Sequence, residues 1–376
     1  MLFIALLTGC DPAGAPVIEG KLRIGLGASA LALAPDGTTL AVACKRSNDV
    51  WLLDMSAKAP RETVRIDTSA KPRALLFQTG KPGFFVAEGL SPNASVALIK
   101  LSDHRVARRY RPKGLLSRWL ELPQQDRLLA ARLGEPLLGV YRLKDWHLVK
   151  AVQVGGEVTA LAAEKGAWWA ATRQADSLAR LSPRDLSLQA VALAGPEPRG
   201  LALASAQGLA FVACQGRQGD AAPLALPTPT EEEDALSPVS DTAEADVGEE
   251  EVVPGDGSDD EEDAGAAPGK PIPNTAERYA GGGVAVFRLQ DTRRLDYIDV
   301  PGGPTHVLAS GDGQRLALAC ADGQLRILDL AQRKVSFALR LGGIPGVMQF
   351  SPDGKQLWIA LSNVKQLLRV KPGFGW

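Results

Sequence analysis

The stretch Leu31-Ala32-Leu33-Ala34-Pro35-Asp36-Gly37-Thr38-Thr39-Leu40-Ala41-Val42-Ala43-Cys44 reads as an apolar strand, a Pro-Asp-Gly turn and a second strand of small apolar residues. Asp in a turn bonds its own backbone and Gly takes the left-handed conformation, so Asp-Gly between two apolar runs predicts a β-hairpin. The same hairpin returns at Leu308–Cys320 (LASGDGQRLALAC) and Phe350–Leu361 (FSPDGKQLWIAL). Weaker copies without the full Asp-Gly turn run through Arg73–Glu88, Arg118–Arg132, Thr159–Thr172 and Arg199–Cys214. Copies starting at Ser29, Arg73, Arg118, Thr159, Arg199, His306 and Gly346 are spaced by 44, 45, 41, 40, 107 and 40 residues.

Each hairpin is followed by a third strand, as in Val50-Trp51-Leu52-Leu53-Asp54 or Leu325-Arg326-Ile327-Leu328-Asp329, and then a fourth, as in Val335–Leu339. Four strands per unit at a period near 40 residues specify the blades of an all-β, seven-bladed β-propeller. The last copy reaches Gln366–Val370 with three strands only, while Val17–Leu26 (VIEGKLRIGL) resembles the fourth strand Val335–Leu341 (VSFALRL). The N-terminal strand is therefore expected to complete the last blade, which closes the ring and removes two exposed sheet edges.

The segments Ala41–Cys44, Asn48–Asp54 and Ser351–Lys355 resemble the YVTN-type β-propeller repeats of bacterial envelope proteins. The resemblance covers nearly the whole chain and implies the fold. It says little of function, because such propellers serve as lactonases, dehydrogenase subunits, surface-layer proteins and docking scaffolds. WD repeats are the neighbouring class, but no regular Gly-His…Trp-Asp pairing occurs.

Met1–Gly9 is almost wholly apolar and runs into Leu7-Thr8-Gly9-Cys10, which resembles the lipobox of bacterial lipoproteins. That resemblance implies a signal peptide over 1–9, lipidation at Cys10, a linker over 10–16 and a propeller over 17–376, held at the periplasmic face of the cell envelope by its lipid alone. The charged stretch that opens most secretory leaders is missing. No other stretch reaches the ~18 apolar residues that span a bilayer.

Cys44, Cys214 and Cys320 stand at equivalent ends of second strands, which marks them as small core fillers. Without Cys-x-x-Cys or Cys-x-x-Cys-His, neither a zinc ribbon nor covalent haem is expected, and no cofactor is. His104, His147 and His306 fall in different blades, so no metal site is expected. There is no Gly-x-Ser-x-Gly and no His-Glu-x-x-His.

The 107-residue gap falls in the fifth blade, between Cys214 and Gly283. Its residues 218–280 are rich in Pro, Ala, Ser and Gly and contain three acidic runs, a composition that cannot bury enough apolar surface to fold. They are expected to be a disordered insertion. Residues 231–263 hold 16 acidic and no basic side chains, leaving 42 basic against 27 acidic elsewhere in a chain of net charge −1. A basic propeller thus carries an acidic tether, read either as a solvating insertion or as an intramolecular electrostatic shield.

The resemblance implies that the loops entering the first strands and those joining second to third strands share one face, around the channel mouth. Arg73, Arg118, Arg199 and His306 are read as equivalent residues entering the innermost strands, and the loops add Lys45, Arg46, Arg132, Arg173 and Arg217. A ring of guanidinium groups around a narrow mouth suits a carboxylate, a phosphate or an acidic protein segment. The same arginines can instead pair with nearby carboxylates and carbonyls to finish strand ends. With 5% aromatic content not interleaved with the arginines, nucleic acid is not the expected partner. The expectation is a monomeric, non-catalytic binding or docking scaffold for an envelope protein. The alternative is a propeller enzyme of the lactonase or dehydrogenase-subunit type.

Overall fold

A computed structural model describes residues 15–55, 61–90, 93–122, 126–164, 166–217, 281–351 and 353–373. The expected leader and Cys10, and the insertion 218–280, lie outside the described residues. Seven four-stranded antiparallel sheets follow one another along the chain. In blade one the strands are Ala28–Leu33, Thr39–Cys44, Asp49–Asp54 and Arg61–Asp67, running from the central channel outward. The seventh sheet is completed from the other chain end: Val17–Arg23 lies antiparallel to Gln366–Lys371, with Ile18 opposite Val370 and Leu22 opposite Leu367. The chain forms a closed seven-bladed β-propeller.

The Asp-Gly turns explain why the three clearest hairpins stand out. Gly37 sits at φ +73°, its N–H donating to Ala34 O at 2.8 Å, while Asp36 Oδ1 accepts from the Thr38 N–H at 2.9 Å. Asp312 and Asp353 hold Gln314 and Lys355 in the same way. Glycine is required there because other residues enter the left-handed region only at a cost.

The core is seven apolar layers, one between each pair of neighbouring blades. Second strands supply most of it and are buried on both faces, so they read as continuous apolar runs. In Thr39–Cys44, Leu40, Val42 and Cys44 face blade seven, whereas Ala41 and Ala43 face blade two, as the two-residue strand period demands. Fourth strands lie at the rim, and Lys334–Arg340 alternates there residue by residue. Cys44, Cys214 and Cys320 are buried free thiols, each paired with the first residue of its blade's inner strand, Ala28, Pro198 and Pro304. Burial raises all three thiols, Cys320 to about 12.

Candidate channel-mouth site

The inner strands carry a repeated irregularity that shapes the channel. In blade one Cys44 pairs with Ala28 and Ala43 with Ala30, so Ser29 is skipped. The same one-residue bulge skips Ser117, Thr159, Arg199, Thr305 and Gly346. In blade two Arg73 occupies the corresponding place, one residue before the Ala74–Ala87 pair. Arg118 and His306 are therefore not equivalent to Arg73 and Arg199: they lie one residue further along, in register with Ala30. The weaker hairpins lack an Asp-Gly turn to anchor their alignment, and a bulge adds a residue that periodicity does not count.

All four nevertheless reach the channel. A bulge turns two successive side chains toward the same side, and Ser117 with Arg118, like Thr305 with His306, lines one cavity of about 610 Å³. Lys45, Arg73, Arg173 and Arg199 line it too. Arg46 lies instead on an adjoining hollow of about 380 Å³, with Asn48, Lys71 and, shared between the two, Lys45 and Arg73. Arg132 and Arg217 line neither cavity.

The basic residues divide into two groups by their partners. Arg132 is buried and donates through Nε and Nη2 to Lys113 O and through Nη1 to Glu135 Oε2 at 2.7 Å. Arg217 is paired with Asp176. Arg173 meets Glu157 at 2.6 Å, and Arg199 meets Glu197 at 3.0 Å and Gln215 Oε1 at 2.9 Å. These four finish strand ends.

Lys45, Arg46, Lys71, Arg73 and Arg118 have no carboxylate partner among the described residues. Arg118 reaches across to blade four, donating from Nε to Thr159 O at 3.1 Å and from Nη1 to its neighbour's Ser117 O at 2.9 Å; both acceptors are neutral. Burial draws it below the usual guanidinium range, and the charge of Arg199 adds to this while Glu157 opposes it. Arg73 is drawn down by burial. Lys45 is drawn down by burial and then by Arg73, Arg118, Arg46 and Lys71 in turn. Five like charges crowd one sector, where the carboxylate that offsets Arg118, Glu157, is already held by Arg173.

The rim of that sector is held in place by Asn48. Its side-chain carbonyl accepts from the Lys71 N–H at 2.7 Å, and its backbone carbonyl accepts from the Thr68 hydroxyl at 2.8 Å. Blade one's loop is thereby fastened to the segment that enters blade two. Asn tolerates the left-handed backbone, φ +55°, that this bridge requires.

His306 belongs to the opposite sector. A Cβ at Gly200 would stand 2.9 Å from His306 Cα, so the absence of a side chain there lets blades five and six close around the ring. Burial, then Arg118 and Arg199, holds His306 down to about 4, and the imidazole is neutral at pH 7. The unfolded chain takes up that proton near 6.5. Between about pH 6.5 and 4 the unfolded state therefore binds more protons, and stability falls as pH drops. His306→Gln is expected to remove on the order of 2 kcal/mol of this acid-side loss. Melting temperatures of wild type and variant measured from pH 7 to pH 4 read it directly, and parallel curves would show that the ring titrates normally.

Glu157 is the one carboxylate among the described residues lining the channel, and Arg173 clamps it. Among the described residues no three or more His, Cys, Asp and Glu side chains gather in a way that could hold a metal ion. Sequence reasoning did not single out Ser117, Asn48, Lys71 or Glu157 as site residues. Aligning Ser29, Thr159 and Thr305 as hydroxyls, rather than aligning the basic residues, would have found Ser117.

Fold and mouth together define a seven-bladed β-propeller with a channel whose cations are paired on one side and unpaired on the other. No protein-family model matches the chain, and no curated protein matches it.

Proposed function

We propose that this propeller is a non-catalytic docking protein that engages an anionic ligand or an acidic protein segment at its channel mouth. The sector of Lys45, Arg46, Lys71, Arg73 and Arg118 carries this reading, because burial destabilises the charge of Lys45, Arg73 and Arg118 and none of the five is ion-paired to a carboxylate among the described residues. An arriving anion relieves that repulsion in a partly desolvated site, where charge-assisted hydrogen bonds are strongest. The test is calorimetric titration with a hexaglutamate peptide at low ionic strength and at about 0.5 M salt. Binding that weakens with salt supports the reading; no binding of hexaglutamate at low salt, or a hexalysine peptide bound as tightly as hexaglutamate, overturns it.

The protein works as a monomer in the bacterial cell envelope, anchored by lipid at Cys10 and meeting a protein partner there. Leu7-Thr8-Gly9-Cys10 and the YVTN-type resemblance support this placement. Wild type is expected to carry acyl mass and partition into detergent, and Cys10→Ala to move to the aqueous phase. A wild type without acyl mass that stays aqueous overturns the anchor.

A further inference from the structure

Four of the bulge residues carry hydroxyl groups, and three of them are satisfied. Ser29 Oγ lies 3.2 Å from Ala43 O and 2.7 Å from Pro72 O of the next blade. Thr159 Oγ1 lies 3.2 Å from Ala171 O and 2.8 Å from Pro198 O, and Thr305 Oγ1 lies 3.0 Å from Ala319 O. Ser117 is the exception: it is 5% exposed, lines the channel, and its Oγ has no hydrogen-bond partner among the described residues. Arg73 Nε, also on the channel wall, is buried and unpartnered too. A buried donor left unsatisfied costs free energy that a ligand acceptor restores.

Resting on the docking reading above, we propose that the channel sector around Arg73, Ser117 and Arg118 and the hollow around Arg46 and Lys71 form one two-station site for an acidic peptide in extended conformation. One side-chain carboxylate accepts hydrogen bonds from the Ser117 hydroxyl and the arginines inside the channel. A second carboxylate further along the peptide rests on Arg46 and Lys71 at the rim. Lys45 and Arg73 wall both hollows, so the stations are continuous.

The two hollows select the ligand class. A compact anion such as phosphate fills one station and leaves the cations of the other uncompensated. An extended peptide turns alternate side chains to the same side, so acidic residues two apart present a row of carboxylates to a row of cations. Among the described residues neither hollow is lined by Phe, Tyr or Trp, which leaves a nucleic acid without a broad stacking platform.

The test titrates hexaglutamate and inorganic phosphate into full-length wild type, Ser117→Ala, the pair Arg46→Gln/Lys71→Gln, and a charge-matched control, Lys334→Gln/Arg340→Gln, on the exposed rim of blade six. Each is repeated in a chain whose 231–263 carboxylates are changed to the corresponding amides, so that the chain's own acidic residues cannot occupy the site. Ser117→Ala is expected to weaken hexaglutamate about tenfold, the rim pair to weaken it several-fold, and the control to change it less than twofold. The rim pair should leave phosphate almost unaffected. If wild type binds hexaglutamate but Ser117→Ala and the rim pair match the control, the two-station site is wrong while the docking reading stands. Phosphate binding more tightly than hexaglutamate likewise overturns the peptide assignment. Binding of neither probe by any variant removes the docking reading, and this site with it.

Discussion

A chain lacking residues 1–25 is expected to lose most of its folding free energy, melting far below wild type or failing to unfold cooperatively. The missing strand, Val17–Arg23, contributes the whole outer edge of blade seven. It also places Ile18 in the layer between blades six and seven, and Leu22 and Ile24 in the layer between seven and one. Ile24 is 1% exposed, and its N–H donates to Lys365 O at 3.2 Å. Fully burying an aliphatic side chain contributes about 1.5–3 kcal/mol; Ile24 gains this in full and the half-buried Ile18 and Leu22 in part, which with the lost strand pairing is a large share of the roughly 5–15 kcal/mol that holds an ordinary domain folded. Truncation further exposes Gln366–Lys371 as an unpaired strand, which invites edge-to-edge association. Ile24→Ala alone is expected to cost about 2–4 kcal/mol. Calorimetric melting and size-exclusion chromatography decide the matter: a truncated chain that stays monomeric and melts within a few degrees of wild type would show that the ring does not depend on its closing strand.

Arg73→Gln combined with Arg118→Gln is expected to weaken hexaglutamate binding by about one to two decades at low salt, since each charge-assisted hydrogen bond carries about 1.5–3 kcal/mol. Arg199→Gln is expected to change binding by only a few-fold. The difference arises because Arg199 already holds Glu197 and Gln215, so an incoming carboxylate must displace a partner that costs nothing to keep. Raising the salt should narrow the gap between wild type and the double variant as the long-range attraction is screened. Melting temperatures of both variants control for the neutral contacts of Arg118, one of which reaches blade four. Equal losses from Arg199→Gln and from the Arg73/Arg118 pair would mean that the mouth acts as an undivided ring of charge.

Much of the architecture was legible because it repeats. Asp36-Gly37, Asp312-Gly313 and Asp353-Gly354 mark hairpins by turn chemistry that depends on a few adjacent residues. The spacing between copies then counts the blades, and the three-strand final copy points to Val17–Arg23 as its missing edge. The uninterrupted apolar run Leu40–Cys44 likewise announces a strand buried on both faces. The site was less legible. Arg118 and His306 were aligned one residue out, because a bulge shifts register without altering the apolar pattern on either side. Ser117 was hidden beside a more conspicuous arginine. Arg132, Arg173 and Arg217 looked like members of one cationic ring, and the structure assigns each its own carboxylate.

By itself the sequence determined the number and order of the blades and the source of the closing strand, which follow from short-range turn chemistry and strand period, while the gathering of basic residues at one face was what the resemblance to propeller repeats implied. Only the tertiary structure decided which of those basic residues remain available. Arg173 finds Glu157 across its own blade's mouth, Arg217 finds Asp176 on the neighbouring blade, and Lys45, Arg73 and Arg118 form no ion pair among the described residues, although all are cationic residues of the same face. Ion pairing falls off within a few ångströms, and separations on that scale are set by bulges and by the packing of one blade on the next, which a period of about 40 residues leaves undetermined.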